Sequence, residues 1–317
     1  MDQICRMMRA AIIDMGTNTF NLLIAESQEG GTFNVLLDRK LPVRLGAGGI
    51  TQKIITPEAM DRGFRALEEH AATIKEFGLT HAKAFGTSAI RSARNGKAFA
   101  DQVFQRFGFD VEIISGKREA ELIYKGVKHA VQLTEQPVLI LDIGGGSNEF
   151  IIGDRENIFW KKSYKLGVAR LLEEMHPSDP ITPEEITKAE NLFRMSLREL
   201  YKMVPMYAID TLIGASGSFE TFSALLRSDP GSRYATFGGE ASMEISLPDY
   251  FRLYEQLLRS TAEERSRMPG MEPIRVDYIV LASVFVSFVL REFSIKKLIQ
   301  SNYALKEGVM AEWMEQS

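Results

Sequence analysis

The sequence is poor in the residues that build disulfide frameworks and metal clusters. Its 317 residues include one cysteine, Cys5, so no internal disulfide framework can form, and a single thiol is typical of a reducing compartment. The four histidines, at positions 70, 81, 129 and 176, have no spacing typical of a metal centre. We therefore expect a cytoplasmic protein whose histidines occupy surface or packing positions.

Long apolar runs are also missing. The apolar stretch from Tyr278 to Leu290 is shorter than the ~20 residues that span a bilayer. Charged residues bracket it on both sides, so it predicts a buried helix. No apolar run follows a basic start at the N-terminus, and we expect no signal peptide and no membrane partner.

Positive charge is not in excess, since the formal net charge is −4. Bulk electrostatics would not attract a polyanion, so we expect no nucleic-acid partner, and a phosphate-rich substrate needs a local basic patch. Hydrophobic residues make up 45% and charged residues 25%, which is ordinary for a soluble globular protein, and the length allows two domains.

What the sequence does contain is a glycine triplet between two apolar stretches, at 139–150. Three consecutive glycines permit φ > 0 and leave one wall of a turn without side chains, so backbone N–H groups can point together at an anion. Asp142 and Glu149 flank the turn and could hold Mg²⁺ or orient a water. An ordinary hairpin stays open as an alternative. The candidate phosphate-binding residues are Gly144, Gly145, Gly146 and Ser147.

A second copy of this pattern lies at 10–24, with an apolar strand, an aspartate, a glycine and hydroxyl or amide donors. Two such turns indicate two related halves, each offering amides and an aspartate to one phosphate chain, as in the actin-like ATPase fold. The sequence thus predicts an α/β protein with two actin-like (ribonuclease H-like) lobes and a phosphate-binding cleft between them. The candidate phosphate-binding residues of this copy are Asp14, Gly16, Thr17, Asn18 and Thr19.

Further candidates lie in loops that follow predicted strands. The hydroxyl-rich loop 86–95 contains Ser88 and Arg91, both suited to oxyanions. Lys306 precedes the last predicted helix. No low-complexity linker separates the halves, and the boundary is expected between His129 and Pro137.

With these residues in hand, the sequence resembles the exopolyphosphatase / guanosine pentaphosphate phosphohydrolase family. The match covers nearly the whole chain. No single motif is specific to the family, but the set of motifs in this order is. Its segments are Asp14 to Thr19, Arg44-Leu45-Gly46, Gly86 to Ala89 with Arg91, Ile114 to Gly116 with Glu119-Ala120, Asp142 to Ser147 with Glu149, Leu166-Gly167, Gly214 to Gly217, and Leu305 to Gly308.

The resemblance implies a hydrolase that removes the terminal phosphate of inorganic polyphosphate or guanosine pentaphosphate. It implies Glu119 as the catalytic base, and Mg²⁺ or another divalent cation as cofactor, held by Asp142 and Glu149. It also implies that the last helix returns to the first lobe. We therefore expect lobes at 1–130 with 302–317 and at 131–301, and we also expect a homodimer.

The chain departs from the family pattern at two points of the motifs. Arg118 stands where the family usually has the first glutamate of a pair. Glu119 is therefore expected to be the one carboxylate of that pair that acts in this chain. Asn148 replaces the usual threonine. No counterpart of the C-terminal helical domain of longer members follows the second lobe, and we expect a weaker hold on long polymers.

Two other functions stay open at this stage. A small-molecule kinase of the same superfold would use the turn at 214–217 for a nucleoside, and a polyphosphate or nucleotide sensor would bind without turnover. Glu119 separates them, because a hydrolase needs a carboxylate beside the terminal phosphate and a sensor does not.

Overall fold

The structure is a computed structural model and describes residues 8–28, 32–229 and 241–315. Contacts divide the chain into two compact units, Met1–Gly126 with Leu305–Ser317, and Val127–Ala304. Each unit is built around one β-sheet.

The first unit takes its sheet and most of its helices from the N-terminal part of the chain. In chain order the elements are β1 (Arg9–Met15), β2 (Thr19–Ser27), β3 (Phe33–Pro42), α1 (Pro57–Glu76), β4 (Lys83–Gly86), α2 (Ser88–Ser92), α3 (Gly96–Phe107), β5 (Val111–Ile113) and α4 (Gly116–Ala130). The last residues of α4, 127–130, are counted with the second unit.

The second unit follows. Its elements are β6 (Val138–Ile143), β7 (Asn148–Gly153), β8 (Ile158–Tyr164), α5 (Val168–Met175), α6 (Pro183–Ser196), α7 (Leu200–Met203), β9 (Thr211–Ala215), α8 (Gly217–Ser228), β10 (Ser242–Ile245), α9 (Leu247–Arg259), α10 (Ala262–Ser266), α11 (Ile279–Glu292) and β11 (Lys297–Ser301). The last helix, α12 (Leu305–Glu315), belongs to the first unit.

The two sheets repeat one topology. The first has the order β3-β2-β1-β4-β5, and the second has the order β8-β7-β6-β9-β11 with β10 added at its edge. In both, three antiparallel strands are followed by parallel ones. Parallel strands bring their carboxyl ends to one edge of a sheet, so each unit collects its post-strand loops there.

Each sheet has its own apolar core. In the second unit the core includes α11, in which every residue from Ile279 to Leu290 is buried. This is the apolar stretch that the sequence predicts as a buried helix. No helix in the described part of the chain is long and apolar enough to cross a membrane.

Helix α12 packs on β1 and β2 of the first unit. It also lies against α4, because Gly308 sits so close to Leu122 that an added Cβ would approach the Leu122 carbonyl oxygen to 1.8 Å. Only glycine allows this backbone approach. The end of the chain therefore supports the helix that carries Glu119.

Candidate active site

The site of the first unit forms where the parallel strands β1, β4 and β5 end. Met15 pairs with Gly86 in register, and Gly86 pairs with Ile113, so the three carboxyl ends are level. The glycine turn follows β1, α2 follows β4, and α4 follows β5. The sheet thus brings three segments that are far apart in the sequence to one edge.

The turn after β1 is closed by a hydrogen bond in which Gly16 N donates to Thr19 O at 3.0 Å. Thr17 and Asn18 at its tip are buried. Asn18 Nδ2 is a buried donor with no hydrogen-bond partner among the described residues. A buried donor costs free energy unless it is paired, so this amide suits an anionic oxygen.

Asp14 lies near the end of β1, just before the same turn, and is partly buried. Asn21 Nδ2 donates to Asp14 Oδ2 at 3.0 Å, while Oδ1 is buried without a partner among the described residues. Burial raises the pKa of Asp14 to about 6, an effect that the Asn21 hydrogen bond opposes. The Asp14 carboxyl is therefore half-protonated near pH 6 and mostly ionised at neutral pH.

Glu119 occupies the first turn of α4, where Ser115 Oγ accepts from Arg118 N at 3.2 Å and caps the helix. The Glu119 side chain is buried, and Arg91 Nη1 donates to its Oε2 at 2.7 Å. The same nitrogen donates to the Ile114 carbonyl at 2.9 Å. Two predicted site residues, one from α2 and one from α4, are therefore brought together, and the guanidinium fixes the orientation of the carboxylate.

Ser88 begins α2 and is buried. The residue before it, Thr87, donates from its backbone N–H to Met15 O at 3.3 Å, which ties the start of α2 to the end of β1. Ser88 therefore lies beside the first turn, as a phosphate-binding role requires.

The environment of Lys306 is different. Its Nζ lies 3.1 Å from Asp38 Oδ2 and 2.5 Å from Glu307 Oε1, and the residue is buried. A phosphate would have to compete with two carboxylates for this cation.

Arg118 takes part in a contact that the sequence pattern does not reveal. Its guanidinium donates to both carboxylate oxygens of Glu312 on α12, one of them at 3.1 Å, and lies 3.6 Å from Glu121. Lys125 reaches Glu312 at 3.2 Å and Glu315 at 2.6 Å. Where the family pattern has an acidic residue, this chain has one partner of an ion-pair network between α4 and α12.

In the second unit the turn after β6 repeats the first. Gly144 N donates to Ser147 O at 3.0 Å, the same bond at the same length as in the turn at Gly16. The N–H groups of Gly145 and Gly146 have no acceptor among the described residues. Ser147 is buried and donates its hydroxyl to Glu149 Oε1 at 2.7 Å.

Asp142 and Glu149 stand directly opposite each other on β6 and β7 and are both buried. Opposed residues of an antiparallel pair share one face of the sheet, where like charges repel. The first unit has Asp14 opposite the neutral Asn21 at this position. A cation between the two carboxylates would relieve the repulsion, so this pair fits a metal ion better than its counterpart does.

The pair cannot enclose an ion by itself. No group of three or more histidine, cysteine, aspartate or glutamate side chains in the described ranges is placed to hold a metal. Glu149 Oε1 also accepts from Ser163 Oγ at 2.6 Å. Mg²⁺ is commonly held by one or two carboxylates together with substrate phosphates, and the residues present fit that mode.

Two arginines of this unit contact its turns, which the sequence does not indicate. Arg170 is buried, and its Nε donates to Gly146 O at 3.2 Å. The guanidinium of Arg275 packs against Gly217, which follows Ser216 at φ 74°. The spacing of Arg275 gives no signal, because it lies far along the chain from the turn that it contacts.

With this geometry established, comparison with known proteins is informative. Residues 23–317 match the model of the Ppx/GppA phosphatase family. The chain belongs to the Ppx/GppA phosphatase family.

Individual relatives agree. The chain is 30% identical over 316 residues to exopolyphosphatase 2 of Mycobacterium tuberculosis, with 95% of this chain and 97% of that protein covered. It is 38% identical to a crystal structure of an exopolyphosphatase from Cytophaga hutchinsonii, with a TM-score of 0.93 and 98% of both chains covered. The predicted fold class, α/β with two actin-like lobes, is confirmed.

A more remote relative is much longer than this chain. It is the guanosine-5'-triphosphate,3'-diphosphate pyrophosphatase of Photobacterium profundum, which is 27% identical over 306 residues. The match covers 96% of this chain and 59% of that relative.

The environment of Asp14 predicts a pH-dependent stability. Because the pKa is raised in the folded state, the contribution to stability is complete below about pH 4 and is lost as pH rises through about 6. Ionised Asp14 then costs roughly 3 kcal/mol. Asp14→Asn removes this cost, so its unfolding free energy relative to wild type should rise by about 1 kcal/mol between pH 5 and 7.5.

Urea denaturation at the two pH values measures the difference. Asp61→Asn, which removes an exposed carboxylate of the same unit, is the control for charge removal alone. An equal pH response in both variants would contradict the assignment.

The Arg118–Glu312 contact predicts energetic coupling between α4 and α12. In a double-mutant cycle with Arg118→Gln and Glu312→Gln, we expect a coupling of about 1–2 kcal/mol, because the pair is two-pronged and partly buried. The exposed pair Arg267–Glu263 is the matched control and should give a coupling close to zero. Equal couplings in the two cycles would mean that Arg118 is an ordinary surface charge.

Proposed function

We propose that this protein is a phosphoanhydride hydrolase that removes the terminal phosphate of inorganic polyphosphate by attack of water. The observation that carries the proposal is the ion-paired carboxylate of Glu119 at the same sheet edge as an anion-binding turn. The relatives named exopolyphosphatase, over nearly their full lengths, support this reaction.

In this mechanism the turns bind phosphates through backbone N–H groups and short polar side chains. Phosphoryl transfer needs little covalent help from a protein, so positioning and charge neutralisation supply most of the catalysis. We assign phosphate binding to Asp14, Gly16, Thr17, Asn18, Thr19 and Ser88 in the first unit and to Gly144, Gly145, Gly146 and Ser147 in the second. Lys306 is left out because Asp38 and Glu307 already engage it.

Glu119 is the proposed general base, which accepts a proton from the attacking water. Paired with a guanidinium, its carboxylate is in the ionised form that a base requires. Arg91 holds that carboxylate and is also the proposed cation next to the substrate. Asp14 has no arginine partner among the described residues to orient its carboxylate, and we assign it to phosphate binding instead.

Asp142 and Glu149 are the proposed ligands of a divalent cation, Mg²⁺ by preference. The ion would neutralise charge on phosphate oxygens. Ser147 and Ser163 both donate to Glu149 Oε1 and so hold its carboxylate in one orientation.

Guanosine pentaphosphate is a second candidate substrate, favoured by the likeness to the Photobacterium profundum pyrophosphatase. Hydrolysis of its terminal phosphoanhydride would use the same base and the same turns. The family membership does not favour a kinase or a sensor. We also propose a cytoplasmic location, from the single cysteine, and a homodimer.

Phosphate release by the purified protein with Mg²⁺ tests the function. The assay compares four substrates at equal concentrations of terminal phosphate groups: long-chain polyphosphate, tripolyphosphate, guanosine pentaphosphate and ATP. We expect turnover of polyphosphate. Activity confined to ATP with an added acceptor would support the kinase instead.

The base assignment predicts that Glu119→Gln keeps substrate affinity and lowers kcat by a factor on the order of 10²–10⁴. Glu121→Gln, on the same helix, is the matched control and should turn over normally. If Glu121→Gln is the impaired variant and Glu119→Gln is not, the assignment is wrong.

The metal assignment predicts that Asp142→Asn raises the Mg²⁺ concentration for half-maximal activity about tenfold or more, because one carboxylate of the pair is lost. Asp154→Asn serves as the control, since Asp154 accepts from backbone N–H groups in the β7–β8 turn. An unchanged Mg²⁺ titration in Asp142→Asn would remove this residue from the metal site.

A further inference from the structure

The carbonyl oxygens of the glycine triplet are all engaged from one side, by the start of helix α5. Val168 N donates to Gly144 O at 3.0 Å, and Ala169 N and Arg170 N donate to Gly145 O at 2.9 and 3.1 Å. Arg170 Nε donates to the remaining carbonyl, Gly146 O, at 3.2 Å. The backbone N–H groups of Val168, Ala169 and Arg170 belong to the first turn of α5, where they have no acceptor within the helix.

The contact between α5 and the turn is a backbone contact. A Cβ added to Gly167 would lie 2.4 Å from the Gly145 carbonyl carbon and from the N atoms of Gly146 and Ser147. No side chain separates the two segments, so the helix start supports the turn directly.

Arg170 differs from the other donors because it is a side chain and carries a charge. It is 7% exposed, and burial lowers the pKa of its guanidinium, while Glu174 and Glu173 on the same helix oppose the shift. A buried cation is costly unless it is used. Here it lies behind a turn whose Gly145 and Gly146 N–H groups have no acceptor among the described residues.

The first unit repeats the arrangement independently. The tip of its turn, Thr17-Asn18, is held by Val43 N and Arg44 N, which both donate to Asn18 O at 2.8 Å, and by Gly46 N, which donates to Thr17 O at 3.2 Å. The holding segment there follows β3, as Leu166–Arg170 follows β8, and each contains a Leu-Gly pair. In the first unit the donors are backbone N–H groups, whereas the second adds Arg170.

We infer that Arg170 is a positioning residue for substrate binding: it holds Gly146 from behind so that the glycine triplet presents its N–H groups, and no carbonyl oxygen, to a phosphate. The inference rests on the proposed function. It assigns Arg170 a role through the turn rather than as a phosphate ligand. Fixed peptide dipoles that need no reorganisation bind an anion more tightly than a mobile loop does.

The test compares Arg170→Met, which keeps a long apolar stem, with Arg170→Lys, which keeps the charge and a donor. The matched control is Arg265→Met. Arg265 is an equally buried arginine of the same unit, whose guanidinium donates to the Val276 and Ser260 carbonyls and to Asp179, away from the turn.

Steady-state kinetics with tripolyphosphate and Mg²⁺ give the first readout. Arg170→Met should raise KM about tenfold or more while kcat changes less than threefold, because the turn binds ground state and transition state alike. Arg170→Lys should recover most of the KM. Arg265→Met should lower thermal stability and leave KM unchanged.

Hydrogen exchange without substrate gives the second readout. The amides of Val168, Ala169 and Arg170 report directly on the bonds to the turn, and their exchange should accelerate in Arg170→Met and not in Arg265→Met. Unchanged exchange and unchanged KM in Arg170→Met would overturn the inference, as would an equal rise of KM in Arg265→Met. If the wild-type protein releases no phosphate, the proposed function fails, and the exchange result alone still decides whether Arg170 holds the turn.

Discussion

An anion-binding turn has to present N–H groups, and every peptide that gives an N–H to the ligand also carries a carbonyl oxygen that must be hydrogen-bonded elsewhere. This constraint applies to both turns to which we assign phosphate binding. At Gly144–Gly146 the oxygens are taken by α5, and at Thr17-Asn18 by the segment that follows β3. Neither turn could be inserted alone into another loop, because each depends on a partner segment some 25 residues further along the chain.

The repeated sheet topology explains why the partner segments are in place. In each unit the third strand returns beside the second and delivers the chain to the base of the turn. The parallel strands then add their own loops at the same edge. In the first unit this second contribution supplies Arg91 on α2, which follows β4, and Glu119 on α4, which follows β5. The fold thus places the turn to which we assign phosphate binding beside a carboxylate that no local sequence pattern could have located there.

Much of this arrangement could be predicted from the sequence, because its signals are local. A glycine turn between apolar strands, a Thr56-Pro57 helix start and the Thr182–Glu185 capping box depend on neighbouring residues, and all three occur in the structure. Other elements lacked such a signal. Helix α6 ends at Ser196 and α7 begins at Leu200 with neither glycine nor proline between them, so no local residue marks the break. The edge strand β10 has only four residues, too few for a clear pattern.

Contacts between distant residues could not be predicted. Arg118 and Glu312 lie 194 positions apart, and the sequence indicates only that an acidic residue of the family pattern is missing. The same holds for the carboxylates around Lys306, of which Asp38 is 268 positions away. Arg170 is the instructive case. Its position after a Leu-Gly pair is visible in the sequence, but its burial behind the turn follows only from the path of β8 and α5.

The first unit also shows how one fold separates two carboxylates chemically. Asp14 and Glu119 lie at the same sheet edge, Glu119 buried and Asp14 partly buried with its Oδ1 enclosed. Among the described residues, an arginine lies within hydrogen-bonding distance of Glu119 and not of Asp14. Without such a partner, burial raises the pKa of Asp14 to about 6. An enzyme that must bind phosphates and also deprotonate water needs one carboxylate that stays charged beside them and can tolerate another that takes up a proton. The guanidinium of Arg91 accounts for this difference, since it pairs with the Glu119 carboxylate. In the proposed function it also adds positive charge at the substrate site of a protein whose net charge is −4.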